Sequence, residues 1–155
     1  MDEPSSSSTA PISINLALGG TATASRSEDS YTPDKVLDGD TISGYSRWSS
    51  YQNDDDNDNQ WIAVDLGEVY KINKVILIWE RAMGRDYRID VSIDNSNWTL
   101  VYNVTDNIED TYNTRYTRTH DFSPVDARYV RMFGLKRQYE FGGFSLYEFE
   151  IYGEQ

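Results

Sequence analysis

Apolar and polar residues alternate along three stretches of the chain. Trp61-Ile62-Ala63-Val64-Asp65-Leu66-Gly67, Arg128-Tyr129-Val130-Arg131-Met132-Phe133-Gly134 and Phe144-Ser145-Leu146-Tyr147-Glu148-Phe149-Glu150-Ile151-Tyr152-Gly153 each put every second side chain on one face, the period of a half-buried strand. Extended along the chain, the pattern predicts strands near Asn15–Ala24, Gln60–Asp65, Ile72–Trp79, Tyr87–Asp94, Thr99–Asn103, Arg115–Phe122, Arg128–Gly134 and Ser145–Gly153. Val75, Leu77 and Trp79 share one face and Ile76 and Ile78 the other, so this strand is either covered on both sides or bulged. Ile89, Val91 and Ile93 alternate with Arg88, Asp90 and Ser92, which predicts one wet face. Asp94-Asn95-Ser96-Asn97 and Pro124-Val125-Asp126-Ala127 read as turns. No stretch keeps a helical period over several turns. The expectation is an all-β sandwich with its chemistry in loops at the ends of the sheets.

A length of 155 residues suits one core. Residues 1–13, with the tract Ser5-Ser6-Ser7-Ser8, read as a linker or disordered terminus, and residues 14–155 as the folded domain. The linker suggests a module of a longer protein. Trp48, Trp61 and Trp79 read as core residues, and Trp98, after its turn, as a plug of the sandwich. The formal net charge of −12 argues against phosphate backbones and anionic membranes as partners. It leaves neutral polymers, cationic polymers and metal ions. Cysteine is absent, which removes disulfide and thiolate chemistry.

Catalysis finds little support. The lone His120 has no partnered Ser or Cys motif. Glu80 with Glu140 or Asp55 is conceivable as a hydrolytic carboxylate pair, but short loops on a small sandwich offer a shallow surface rather than a cleft. No phosphate-binding glycine loop or basic stripe occurs. The expectation is a non-enzymatic domain.

The order of segments carries a resemblance. Asn15-Leu16-Ala17, Thr21-Ala22-Thr23-Ala24-Ser25, Lys35-Val36-Leu37-Asp38-Gly39-Asp40, Ser46-Arg47-Trp48-Ser49, Trp61 to Gly67, Asp90-Val91-Ser92-Ile93-Asp94 with Trp98, Arg128-Tyr129-Val130-Arg131 and Glu148-Phe149-Glu150-Ile151-Tyr152-Gly153 follow one another. Their sequence resembles the coagulation factor 5/8 type C (discoidin) superfamily, and within it the family 32 carbohydrate-binding modules. Trp79-Glu80, Tyr87-Arg88-Ile89, Gly134 to Arg137, Tyr139 and Phe144 to Glu150 are similar to modules attached to chitosanases and β-glucanases. The chain departs from them in the acidic insert Asn53 to Asn59 and in Gly142-Gly143-Phe144, where a Gly-Tyr pair is usual. The resemblance implies a galactose-binding-like jelly-roll β-sandwich of two antiparallel sheets and a secreted or cell-surface, bacterial setting.

A saccharide site needs a ring for the apolar sugar face and ionic or amide groups for the hydroxyls. Three loops hold that mixture: Arg47, Trp48 and Tyr51; Glu80 and Arg81; and Arg137, Tyr139, Glu140 and Phe141. The resemblance implies that they converge at one end. The expected ligand-binding residues are Arg47 as a hydroxyl donor, Tyr51 as a side wall, Glu80 as an acceptor for hydroxyls or a sugar ammonium, Arg137, and Tyr139 or Phe141 as the stacking platform. Arg47 and Glu80 could instead form a surface ion pair.

Lys35 to Ser43 is dense in oxygen ligands around a Gly turn, suited to calcium or to an ordinary Asp-Gly turn. The resemblance implies a structural Ca2+ held by the Lys35 carbonyl, Asp38, the Asp40 carbonyl, Ser43 and Glu148. Asp54, Asp56 and Asp58 mimic the start of an EF-hand loop, but Asn59 stands where the turn Gly belongs and Asp65 falls in a strand. That segment reads as a solvated acidic loop, or a rim favouring cationic sugars. The expected function is non-catalytic capture of a polysaccharide, a β-glucan or a glucosamine polymer such as chitosan, by a monomeric domain covalently linked to a catalytic one. A galactose-type glycan, and a discoidin-like adhesion domain binding protein or lipid, are the alternatives.

Overall fold

The computed structural model describes residues 14–153; the predicted linker, residues 1–13, lies outside them. Seven strands form in chain order: β1 (Thr21–Ala24), β2 (Trp48–Ser49), β3 (Gln60–Trp79), β4 (Gly84–Ser92), β5 (Thr99–Val104), β6 (Tyr116–Arg137) and β7 (Ser145–Gly153). All pair antiparallel. Two short 3-10 turns, Leu16–Gly19 and Pro33–Leu37, stand where the first predicted strand begins and before β2. Among the described residues no helix is long and apolar enough to cross a membrane.

The expected sandwich is built from fewer, longer strands than the alternation predicts. Ile72–Trp79 continues Gln60–Asp65, and Arg128–Gly134 continues Arg115–Phe122. Each long strand serves both layers. The first half of β3 lies between β1 and the second half of β6, which β4 and β5 extend outward. The second half of β3 lies between the first half of β6 and β7, with β2 beyond. Hydrogen bonding therefore runs without a break through β2-β7-β3-β6-β4-β5.

A bulge makes this possible. Register shifts between Ile72 and Lys74, and the inward phase shifts with it. Ile62, Val64, Leu66 and Ile72 point into the core before it, and Val75, Leu77 and Trp79 after it, so one strand feeds one core from two layers. On β6 the same shift leaves Phe122 to Pro124 without ladder partners. Proline has no N–H to lose there, which is why Pro124-Val125-Asp126-Ala127 sits inside a strand instead of making the predicted turn.

Trp48 and Trp79 are fully buried as expected. Trp61 and Trp98 are not core residues. Trp61 is half-buried and pairs with Phe133, because its neighbour Ile62 takes the inward position. Trp98 is also half-buried and lies under the Arg131 guanidinium, 4.1 Å from the ring centre. Ile93 is exposed, just past the end of β4, and Asp90 on the face predicted to be wet is buried against Arg88 and Arg131. The predicted turn after it forms: Asp94 Oδ1 accepts from the N–H groups of Ser96 and Asn97 at 2.9 and 2.8 Å.

Candidate functional site

Three connections meet at one end of the sandwich, tied by backbone bonds. Ser50 N–H donates to the Phe144 carbonyl, Glu80 N–H to Ser145, Ser145 N–H to Ala82, and Gln138 N–H to Met83. Gly143 permits the closest of these approaches. A Cβ there would lie 2.6 Å from the Tyr51 nitrogen and 2.7 Å from Ser50 Oγ. The unusual Gly142-Gly143-Phe144 thus lets the Tyr51 loop and the Tyr139 loop touch.

The result is a cavity of about 350 Å³, within the range of small-molecule sites. Arg47, Tyr51, Glu80, Tyr139 and Phe141 all line it, so the structure brings together five of the six residues expected at one site. Trp48 is anchored in the core, its Nε1 donating to the Arg26 carbonyl at 3.0 Å. Strand alternation then turns Arg47 to the other side. Its guanidinium lies 3.9 Å over the Tyr31 ring and donates to Ser145 Oγ at 2.7 Å. No ion pair joins Arg47 to Glu80 among the described residues; the two stand as separate groups on the wall.

Glu80 follows directly on the end of β3. One of its carboxylate oxygens accepts from Ala82 N–H at 3.1 Å, which fixes the group while its other oxygen takes no donor among the described residues. Tyr139 and Phe141 stack with centroids 5.0 Å apart and planes at 22°. Phe141 is 76% exposed, a large apolar ring held at the rim. Arg81 reaches over Tyr112 and Tyr139, 4.8 and 5.6 Å from their centroids.

Arg137 departs from expectation. It does not line this cavity. Its N–H and Nε both donate to Asp58 Oδ1, at 3.0 and 2.9 Å, and its Nη1 donates to the Glu140 and Gly142 carbonyls at 2.8 and 2.9 Å. It braces the aromatic loop from behind. The acidic insert is likewise structural in part: Asp54 pairs with Arg26, and buried Asn57 bonds Arg26 and the Gln52 backbone. Asp54 and Asp58 are thereby spent on Arg26 and Arg137.

Sequence reasoning missed Glu28 and Ser49 on the wall. Glu28 Oε1 accepts from Ser49 Oγ at 2.6 Å, and Glu28 N–H donates to the Ser49 carbonyl at 2.7 Å. The dense run Ser27-Glu28-Asp29-Ser30 was the available signal, but β2 is too short to show as a pattern, and with it went the clue that this turn borders the site.

Of the residues expected to hold calcium, the structure brings Asp38 beside Glu148. Gly39 adopts φ 74 and donates its N–H to Glu148 Oε2 at 3.2 Å. Asp38 accepts from Asp40 N–H at 2.9 Å and from the Ser46 hydroxyl. The Asp40 carboxylate is taken by the N–H groups of Ile42 and Ser43 at 3.0 and 2.8 Å, and Ser43 Oγ accepts from Tyr45 N–H at 3.1 Å. Glu148 is 1% exposed, and its Oε1 meets no hydrogen-bond donor. Burial first, and then the neighbouring Asp38, pushes the Glu148 carboxyl up to about 9. An orphaned carboxylate oxygen facing a second carboxylate fits a hard cation. Among the described residues no group of three or more His, Asp or Glu side chains is arranged for a metal, so such an ion would rest on Asp38 and Glu148 completed by carbonyls and hydroxyls.

His120 is in the core and touches no cavity named above.

The F5/8 type C domain model matches residues 21–149. A search of curated proteins returns no match. Among solved structures, chitosan-binding module 1 from the chitosanase/glucanase of Paenibacillus sp. IK-5 is 37% identical, with a TM-score of 0.76, over 90% of this chain and 99% of that one. Module 2 of the same enzyme, in complex with chitotriose, is 33% identical with a TM-score of 0.74, over 90% and 100%. The family 32 module of C. perfringens NanJ, in complex with galactose, is 25% identical with a TM-score of 0.74, over 91% and 99%. With the pattern running from Thr21 to Phe149 and whole domains matched nearly end to end, the chain belongs to the F5/8 type C domain family.

Proposed function

We propose that this domain is a non-catalytic carbohydrate-binding module that captures a glucosamine polymer such as chitosan. One observation carries the reading: Arg47, Glu80 and the stacked pair Tyr139 and Phe141 converge on a single cavity of about 350 Å³. Phe141 and Tyr139 offer a ring to the apolar face of a sugar. Glu80 and Glu28 accept from hydroxyls or an ammonium, and Arg47 donates. The likeness to two chitosan-binding modules supports the choice of polymer. A shallow open site of this size buries little area, so affinity for short oligomers falls on the order of micromolar to millimolar.

The useful consequence is proximity. A covalently linked catalytic domain held on its polymer works at a raised effective concentration. Such polymers lie outside the cell, so the parent protein would act at the surface or in the medium, with the module as a monomer. At the Lys35–Ser43 loop, Asp38, Glu148, Ser43 and the carbonyls of Lys35 and Asp40 would hold a structural Ca2+ tying that loop to β7.

Affinity electrophoresis against chitosan, laminarin and a galactan tests the reading. Retardation by chitosan, reduced by Glu80→Ala and by Tyr139→Ala, is the expected result. Retardation by laminarin alone would move the specificity to neutral β-glucan. Retention on phosphatidylserine vesicles without any on polysaccharide would replace the reading with an adhesion domain.

A further inference from the structure

The sugar-sized cavity ends at Tyr51, and on the other side of that residue a second one begins. It measures about 310 Å³ and is lined by Ser27, Glu28, Asp29, Tyr51, Gln52 and Asn53. Glu28 and Tyr51 line both cavities. The two cavities thus adjoin at Tyr51, where the next unit of a linear polymer lying in the first would meet the second.

The two differ in charge. The first sets the carboxylates of Glu28 and Glu80 against the guanidiniums of Arg47 and Arg81. The second has Glu28 and Asp29 and no Lys or Arg in its lining. Asp29 stands in a tight turn closed by Tyr31 N–H on the Glu28 carbonyl at 2.8 Å, with φ 45, a conformation that Asp and Asn tolerate better than most residues. The turn fixes its backbone, while its exposed carboxylate accepts no hydrogen bond and joins no ion pair among the described residues. The floor is held from below: Gln52 N–H donates to Asn57 Oδ1 at 3.0 Å. The side chain of Asn53 remains at the wall with both a donor and an acceptor.

Building on the saccharide reading of the first cavity, we propose that the second is an adjoining subsite that prefers a protonated amino-sugar unit. The division of labour follows from the linings. The first cavity supplies the aromatic rings and balanced charges that hold any pyranose, and the second adds the Asp29 carboxylate, with no cation in its lining, for an ammonium. Selection of glucosamine over glucose or N-acetylglucosamine at this subsite then resides at Asp29, and affinity depends on chain length.

Calorimetric titration of the wild-type protein and Asp29→Asn with glucosamine, its β-1,4-linked trimer and the fully N-acetylated trimer tests this. Asn keeps the turn conformation, and an unchanged melting temperature verifies the fold. Wild type is expected to bind the glucosamine trimer more tightly than the monomer. Asp29→Asn is expected to bind the monomer as wild type does and to lose about threefold on the glucosamine trimer, as for one exposed ion pair. That loss should shrink at high salt and be absent for the acetylated trimer. Equal trimer-to-monomer ratios in both proteins, with both ligands still bound, would overturn the second subsite alone. Failure of the wild type to bind any of the three sugars would remove the saccharide reading and this inference with it.

Discussion

Tyr87 and His120 meet inside the core, with the phenol oxygen 2.7 Å from His120 Nε2. The other ring nitrogen lies 2.9 Å from the Val75 carbonyl. A carbonyl only accepts, so Nδ1 carries the proton and Nε2 accepts from the Tyr87 hydroxyl. The ring is neutral, and burial holds its pKa below the ordinary 6.5. The unfolded chain takes up this proton near 6.5 while the folded one resists. Between those values the unfolded state binds more protons, so the stability that His120 contributes falls as pH drops below about 6.5. Glu148, whose carboxyl is pushed up to about 9, acts in the opposite sense over the same interval, so the loss should be read in a Glu148→Gln background by urea unfolding at pH 7.5 and pH 5.5. Adding His120→Leu there should remove this component of the slope, although that variant is less stable throughout because Tyr87 is left without its partner.

Gly143→Ala should destabilise the protein by about 1–3 kcal/mol. The added methyl meets backbone at Tyr51 and the Ser50 hydroxyl, and neither is the free end of a flexible side chain. Since the Ser50–Phe144 bonds join the two binding loops, saccharide retention should weaken along with the melting temperature. A normal melt with lost retention would indicate that the loops part without cost to the core.

Much of this fold was legible in alternation alone. Strand positions in β3, β4, β6 and β7 follow the apolar period, and Val75, Leu77 and Trp79 against Ile76 and Ile78 already signalled a bulge. What alternation misjudged was punctuation. Gly67 and Pro124 look like strand ends, yet here they sit in bends of strands that continue. Trp61 reads as core from its place at the start of a strand, although the inward phase of Ile62 and Val64 dictates that it face outward. The site was legible where a residue lies next to a strand end, as Glu80 does after Trp79. It was illegible where a role depends on a distant partner: Asp58, which fixes Arg137, sits in an insert that reads only as charge. Glu28 was missed because β2, the strand that places it, is too short to have a period.

Arg137→Ala should weaken saccharide binding although Arg137 does not line the cavity. Its bonds to Asp58 and to the Glu140 and Gly142 carbonyls fix the loop that carries Tyr139 and Phe141. Hydrogen bonds to charged groups of this kind contribute about 1.5–3 kcal/mol. Arg137→Lys keeps the charge but lacks the planar fork, so it should recover little. Chitosan retention at wild-type level in Arg137→Ala would show that the loop holds its shape without the brace.

Calcium should raise the melting temperature, and a chelator should reverse the rise. The expectation rests on Glu148 Oε1, buried without a donor beside Asp38. A cation there replaces the proton that the raised Glu148 carboxyl otherwise holds, and ties the Lys35–Ser43 loop to β7. Binding to the folded state alone stabilises by about 2.7 kcal/mol when free calcium is a hundredfold above Kd, roughly 5–10 °C for a domain of this size. Glu148→Gln preserves shape and supplies an amide that can donate to Asp38, so the metal-free variant should be as stable as metal-free wild type or more so. It should also lose the response to calcium. A wild-type melt that is indifferent to both calcium and chelator would assign Glu148 to a protonated, purely structural contact with Asp38.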